Sequence, residues 1–285
     1  MRVLVTGSLG QLGSELVRIL GERGTIVMGV DRPGIDITKA GSIATAFGLF
    51  EPTVVINCAA WTAVDDAEAN EEAAMQVNGL GAELLAQACA TSGAWMLQVS
   101  TDYVFAGDAN SPYAEWAPTY PLTAYGRTKL AGEHAVKQVL PNSHWIVRTA
   151  WLYGLHGNNF ARTMLKLEKE RDTVAVVTDQ IGQPTYARDL AHQLIALIDA
   201  HPNAGTFHGT NAGADSWYEF ARAVFEGAGA DPSRVLPTDS AAFIRPAPRP
   251  AYSVLGHEAW DSAGLAPMRD WREALSAAFD DGLSA

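Results

Sequence analysis

The chain is poor in several things that would have pointed elsewhere. Its 285 residues include two cysteines, Cys58 and Cys89, in no Cys-x-x-Cys spacing, which excludes a disulfide framework or a thiolate metal cluster. Both lie in apolar stretches and read as buried free thiols. Basic residues are outnumbered, 20 Lys and Arg against 32 Asp and Glu, for a formal charge of -12. An acidic surface attracts neither nucleic acid nor an anionic membrane, so neither is expected as a partner, and any anionic substrate must be held by local donors. No apolar run approaches the ~20 residues needed to span a bilayer. The first strand begins at the first residues and leaves no room for a secretory leader, so a cytoplasmic protein is expected. The seven histidines lack ligand spacing, and His134 reads as an ordinary helix position. Repeats, low-complexity tracts and extended linkers are missing too.

What is present is a large apolar fraction, 48%, enough for one large core or two joined lobes. Strand-like runs at Met1–Thr6, Ile26–Val30, Thr53–Asn57, Trp95–Ser100 and Trp145–Val147 alternate with helical patterns at Ser42–Phe50, Glu71–Thr91 and from Tyr125 to Leu140. Strictly alternating strands and helices predict an α/β fold, a doubly wound parallel sheet of Rossmann type covered on both faces. After about residue 150 helices dominate, near Asn159–Glu170, Arg188–Ala200 and Trp217–Gly227, followed by the Pro-rich 244–250 and a closing segment from Trp271 to Phe279. The expected division is a dinucleotide-binding domain over 1–150 and a smaller, mostly helical substrate lobe over 151–285, interwoven with the first in part.

Ligands of such sheets bind beyond the carboxyl ends of the strands. The chemistry-bearing residues fall there: Gly7, Asp31, Asn57 to Thr62, Ser100 to Asp102, and Thr149 to Trp151. The first strand runs into Gly7-Ser8-Leu9-Gly10-Gln11-Leu12-Gly13 and then a helix. Glycines at such a turn let the backbone approach a pyrophosphate, with the helix N-terminus favouring its charge. The spacing is Gly-x-x-Gly-x-x-Gly, not the Gly-x-Gly-x-x-Gly of ordinary dinucleotide folds. Asp31, at the end of the second strand, is placed to accept from an adenosine ribose and argues for NADH, while Arg32 beside it suits the 2′-phosphate of NADPH.

Tyr125 and Lys129 are four residues apart, on one face of a helix. An ammonium about 6 Å from a phenol, at an effective dielectric of about 20, favours the phenolate by roughly 3 kcal/mol, about two pKa units. The spacing therefore predicts that Lys129 draws Tyr125 down from about 10 into working range as a proton donor. Thr101, upstream at a strand end, adds a polarising hydroxyl. Acids on a surface of -12 are more often solvated than metal-bound, so no metal site is assigned.

Together the glycine trio, the Tyr-x-x-x-Lys pair and the upstream Ser100-Thr101 resemble the extended short-chain dehydrogenases/reductases. Longer motifs, Asn57 to Glu68 (NCAAWTAVDDAE), Ser100 to Phe105 (STDYVF), Arg148 to Trp151 (RTAW), Asp179 to Thr185 (DQIGQPT) and Arg245 to Arg249 (RPAPR), resemble within them the dTDP-4-dehydrorhamnose reductase family. The likeness spans nearly the whole chain. It implies reduction of the C4 ketone of a dTDP-sugar by NADPH or NADH, in a monomer or homodimer; relatives that dimerise around a metal hold it on surface carboxylates near where Glu15 and Asp189 fall, but Mg2+ is not predicted. It further implies catalytic roles for Tyr125, Lys129 and Thr101, with Tyr125 and Lys129 also on the cofactor. Gly7, Gly10, Gln11, Leu12 and Gly13 would meet the pyrophosphate, Asp31 the ribose, Asp36 and Ile37 the adenine region, and Ala60, Trp61 and Thr62 the rest of the cofactor. Thr101 and Asp102 would touch the sugar, and Asn78 would support the polar network. Trp151 either packs on substrate or anchors the lobe interface. Arg249, or Arg245 in its place, would hold the diphosphate. Dehydratases of this group carry a Glu directly after the Thr-Asp, where Tyr103 stands here. The other readings are a reductase or epimerase of a related keto sugar and a non-catalytic regulatory subunit of the same fold.

Overall fold

A computed structural model describes residues 1–285. Five apolar runs form strands: β1 (Arg2–Thr6), β2 (Ile26–Val30), β3 (Val54–Asn57), β4 (Trp95–Thr101) and β5 (His144–Thr149). All pair in parallel, and an edge strand Gly205–His208 joins β5, giving the order Gly205–His208, β5, β4, β3, β1, β2. The central strands are buried on both sides because helices cover both faces, as parallel sheets require. From β1 the chain moves outward to β2 and then crosses back to β3. The order therefore reverses between β1 and β3, where doubly wound sheets open a crevice at their carboxyl edge.

One apolar layer packs the helix Gln11–Glu22 and the helix Ala187–Ala200 on the sheet through Leu16, Leu20, Leu190 and Leu194. The other packs Ala40–Phe50 and Gly81–Ser92 through Phe47, Leu85 and Met96. A second core lies beside the sheet, built on Tyr153, Tyr186, Phe220, Phe225 and Trp271. Three short pairings support it, Val235–Thr238 with Val174–Val177, Asp215–Ser216 with Ile181–Gly182, and Leu152–Tyr153 with Thr185–Tyr186. The region after 150 thus holds more strand than its helical periodicity predicts, and residues 187–208 and 258–268 return to the sheet layer.

The helix expected over Glu71–Thr91 is interrupted. Between Glu71–Met75 and Gly81–Ser92 lies one π turn, Gln76–Leu80. Its inserted residue frees Asn78 to turn inward, where the amide accepts from Trp61 N–H at 2.8 Å and donates to Trp61 C=O at 3.1 Å and Thr128 Oγ1 at 3.0 Å. No helix is long and apolar enough to cross a membrane.

Candidate active site

The crevice at the carboxyl edge is a cleft of about 1240 Å³ between sheet and second core. Every residue expected at the site lies in its wall: Gly7, Gly10, Gln11, Leu12 and Gly13; Asp31, Asp36 and Ile37; Ala60, Trp61 and Thr62; Thr101 and Asp102; Tyr125 and Lys129; Trp151 and Arg249.

At one end the loop after β1 turns tightly. Gly7 is left-handed at φ 66°, and a Cβ on Gly13 would stand 2.2 Å from the Gly7 carbonyl. Helix Gln11–Glu22 starts at Gly10 with no side-chain cap, so its first N–H groups face the cleft without intrahelical partners. That is an anion seat, and it fits a pyrophosphate. Asp31 does more than await a ribose. Its Oδ2 accepts from Ser8 Oγ at 2.6 Å and from Leu9 N–H at 2.8 Å, bracing the glycine loop.

At the centre, Thr123 caps the helix Ala124–Val139 by accepting from Gly126 N–H, and Glu68 accepts from Ala124 N–H at 2.8 Å. These contacts fix the first turn, where Tyr125 stands. Tyr103 packs on the Tyr125 ring edge to face, centroids 5.6 Å apart. Thr101 Oγ1 donates to Asp102 Oδ1 at 3.0 Å, accepts from Tyr103 N–H at 3.2 Å, and faces the Tyr125 phenol.

The electrostatics depart from the prediction made for Lys129. Lys129 Nζ donates to the Val99 carbonyl at 2.6 Å. Its charge is not among the influences on Tyr125. Burial pushes the phenol up to about 12, the Thr101 hydroxyl pulls part of the way back, and the Asp102 carboxylate pushes up again. Four-residue spacing puts both groups on one face but leaves a long lysine free to reach the strand beneath. Burial likewise lowers Lys129 to about 8, opposed by the Glu133 carboxylate one turn on. Asp102 is raised to about 6 by burial, with the Ser253 and Thr101 hydroxyls opposing. The site therefore holds a protonated phenol at neutral pH.

Sequence reasoning passed over the ion pair beneath this face. Arg148 grips Glu133 with both arms, Nε to Oε1 at 2.9 Å and Nη2 to Oε2 at 2.7 Å, and both side chains are almost wholly buried. The row Tyr125, Lys129, Glu133 at i, i+4, i+8 was the available signal. Glu15 pairs with Arg18 and Arg188, and Asp189 pairs with Arg269.

Beyond the sheet, Trp151 is left-handed at φ 46°, a strained conformation for a bulky residue. Its indole stacks on Trp217 at 3.6 Å and lies against Gly182, where a Cβ would come within 2.5 Å of the ring. It anchors the second core and also lines the cleft. Arg249 and Arg245 line the rim, both turned to Asp65.

The family model described as RmlD substrate binding domain matches residues 1–283. The chain belongs to that family. It is 51% identical over 282 residues to a dTDP-4-dehydrorhamnose reductase of Streptomyces griseus, covering 98% of this chain and 93% of that one. It is 50% identical over 278 residues to a dTDP-4-keto-6-deoxy-D-glucose reductase of Streptomyces niveus, covering 98% and 96%. The crystal structure of a Bacillus anthracis dTDP-4-dehydrorhamnose reductase in complex with NADP superposes with a TM-score of 0.95 at 40% identity, over 98% of this chain and 99% of that one. Membership brings the Rossmann-like fold and oxidoreductase chemistry with a nicotinamide cofactor.

Proposed function

We propose that the chain reduces the C4 keto group of dTDP-4-dehydro-L-rhamnose to dTDP-L-rhamnose with NADPH or NADH. The observation that carries this reading is the convergence of Tyr125, Thr101 and Lys129 at the sheet edge, in one cleft with an uncapped helix N-terminus and the arginines of the 245–249 segment. When bound, the reduced nicotinamide supplies the hydride. Tyr125 holds the proton: with its phenol at about 12 it stays protonated across the neutral range and remains a stronger acid than the alcohol being formed. The ketone carbon gains the electron pair, and the oxygen gains the Tyr125 proton. Thr101 stands beside the phenol as the second hydroxyl facing the reacting oxygen. Lys129 adds positive charge at one end of the row and suits the nicotinamide ribose hydroxyls. Asp102 and Trp151 serve the sugar. Asp31 offers an acceptor to a ribose hydroxyl, and Arg32, in the same wall, offers a donor to a 2′-phosphate.

The Streptomyces niveus relative, named for dTDP-4-keto-6-deoxy-D-glucose, favours a second reading in which that sister sugar is the substrate. One assay separates them: oxidation of NADPH and of NADH followed optically with each keto sugar generated in situ. The reading requires turnover with the rhamnose precursor exceeding that with the glucose-series sugar. Consumption of neither cofactor would overturn it. Tyr125→Phe is expected to lower kcat at least a hundredfold while cofactor affinity stays within twofold; retained turnover would remove Tyr125 as the acid.

A further inference from the structure

Asp65 is not among the residues that line the cleft. Its chain neighbour Val64 and its partners Arg245 and Arg249 do line it. Its carboxylate nevertheless gathers the whole Arg245 to Arg249 segment. Oδ2 accepts from Arg249 Nη2 at 2.8 Å and lies 3.8 Å from Arg245 Nη1, and Oδ1 accepts from Ala247 N–H at 3.2 Å. Arg249 is tied once more, through Nη1 to the Ala247 carbonyl at 3.0 Å. Burial pushes the Asp65 carboxyl up, but the Arg249 and Ala247 donors and the two guanidinium charges more than offset it and leave the group below its ordinary value. It is ionised at neutral pH. One carboxylate against two guanidinium groups leaves a local charge of about +1 on a chain of -12.

Resting on the functional reading above, we infer that Asp65 is a positioning residue for the nucleoside diphosphate, holding Arg249 with its remaining N–H donors turned into the cleft. A guanidinium carries five N–H donors, and Asp65 and Ala247 take two, so three are left for phosphate oxygens. Its place outside the lining and its pairing with two cations at once favour orientation of the arginine over competition for it. An arginine immobilised before binding spares the ordering cost of one rotamer-rich side chain, about five- to tenfold in affinity. The same short helix, Val64–Ala69, presents Glu68 to the first turn of the Tyr125 helix, so phosphate seat and proton donor share one support.

Calorimetric titration with dTDP and with thymidine tests this without depending on turnover. Asp65→Asn is expected to weaken dTDP binding about five- to tenfold, with thymidine and NADPH affinities within twofold. In an Arg249→Ala background Asp65→Asn is expected to cost nothing further. In the reductase assay Asp65→Asn raises KM for the sugar nucleotide and leaves kcat within twofold. Tighter dTDP binding in Asp65→Asn, an equal loss for thymidine, or a full loss persisting with Arg249→Ala would each overturn the inference. A wild-type protein that binds no dTDP would overturn the functional reading with it, whereas normal dTDP binding by Asp65→Asn removes the inference alone.

Discussion

Replacing Glu133 with Gln tests both the interior and the chemistry of the Tyr125 helix. Glu133 and Arg148 are a bidentate pair, 0% and 3% exposed at their side chains, and Gln leaves the guanidinium buried with its charge uncompensated. Breaking a buried pair from one side costs about 3–5 kcal/mol, measurable as a shift in the urea midpoint. The pH dependence has a definite sign. Burial raises the Glu133 carboxyl, but the Arg148 hydrogen bonds and charge dominate with help from Ser100 and Lys137, so it sits below its ordinary value. Its stabilisation is therefore full above the unfolded carboxylate pKa and is lost as pH falls through the depressed one, so the gap between wild type and variant should close in acid. Activity should respond at the other end of the scale. Glu133 is one turn from Lys129 and holds its proton on against burial. At about 6 Å and an effective dielectric of about 20 its removal is worth up to roughly 3 kcal/mol, so a fall of at least one pKa unit in Lys129 is a conservative figure. Lys129 would then titrate near pH 7 instead of about 8. At about pH 8 the charged fraction drops roughly fivefold, while at about pH 6 it hardly changes. The readout is kcat/KM against pH, which reports free-enzyme groups. A uniform loss from pH 6 to 9, or a destabilisation under about 1 kcal/mol, would refute the reasoning.

Three further outcomes follow from single contacts. Gly13→Ala brings a Cβ to 2.2 Å from the Gly7 carbonyl, so fluorescence titration should show NADPH affinity at least tenfold weaker through a distorted loop. Asn78→Ala removes the partner of the half-buried Trp61 backbone and of the buried Thr128 hydroxyl, and chemical denaturation should register a loss of about 2–4 kcal/mol, with KM for the cofactor rising as Trp61 shifts. Tyr113→Phe strips the shared acceptor from the N–H groups of Gly107, Asp108 and Ala109; hydrogen exchange at these amides should accelerate, and stability should fall by about 1–2 kcal/mol.

The main sheet was legible because its strands are buried on both faces and so read as unbroken apolar runs, Val3 to Val5 or Val54 to Ile56. The edge strand Gly205–His208 was not, since it is short and carries a single apolar side chain, Phe207. The π turn escaped for a related reason: one extra residue leaves the apolar periodicity around Asn78 almost unchanged. Site residues gathered where strand ends predicted them. Where side chains then turn is a different matter. The i, i+4 rule fixed the face shared by Tyr125 and Lys129 but could not direct Nζ to Val99, nor could spacing join Asp65 to Arg249 across 184 positions.

The interleaving of the two cores bears on how the cleft can move. The chain passes from sheet layer to second core between Val147 and Tyr153, back between Tyr186 and Leu190, out again between Phe207 and Phe220, back between Val235 and Trp260, and out once more between Met268 and Trp271. Two bodies joined by one linker swing freely about it; two bodies joined at five points rotate only if all five yield together. Wide hinge opening is therefore mechanically suppressed. Access then falls to the rim, above all the span between Val235 and Trp260 that carries Arg245 and Arg249. That span is tied through Asp65 and the helix Val64–Ala69 to the first turn of the Tyr125 helix, so the rim and the proton donor rest on one piece of chain.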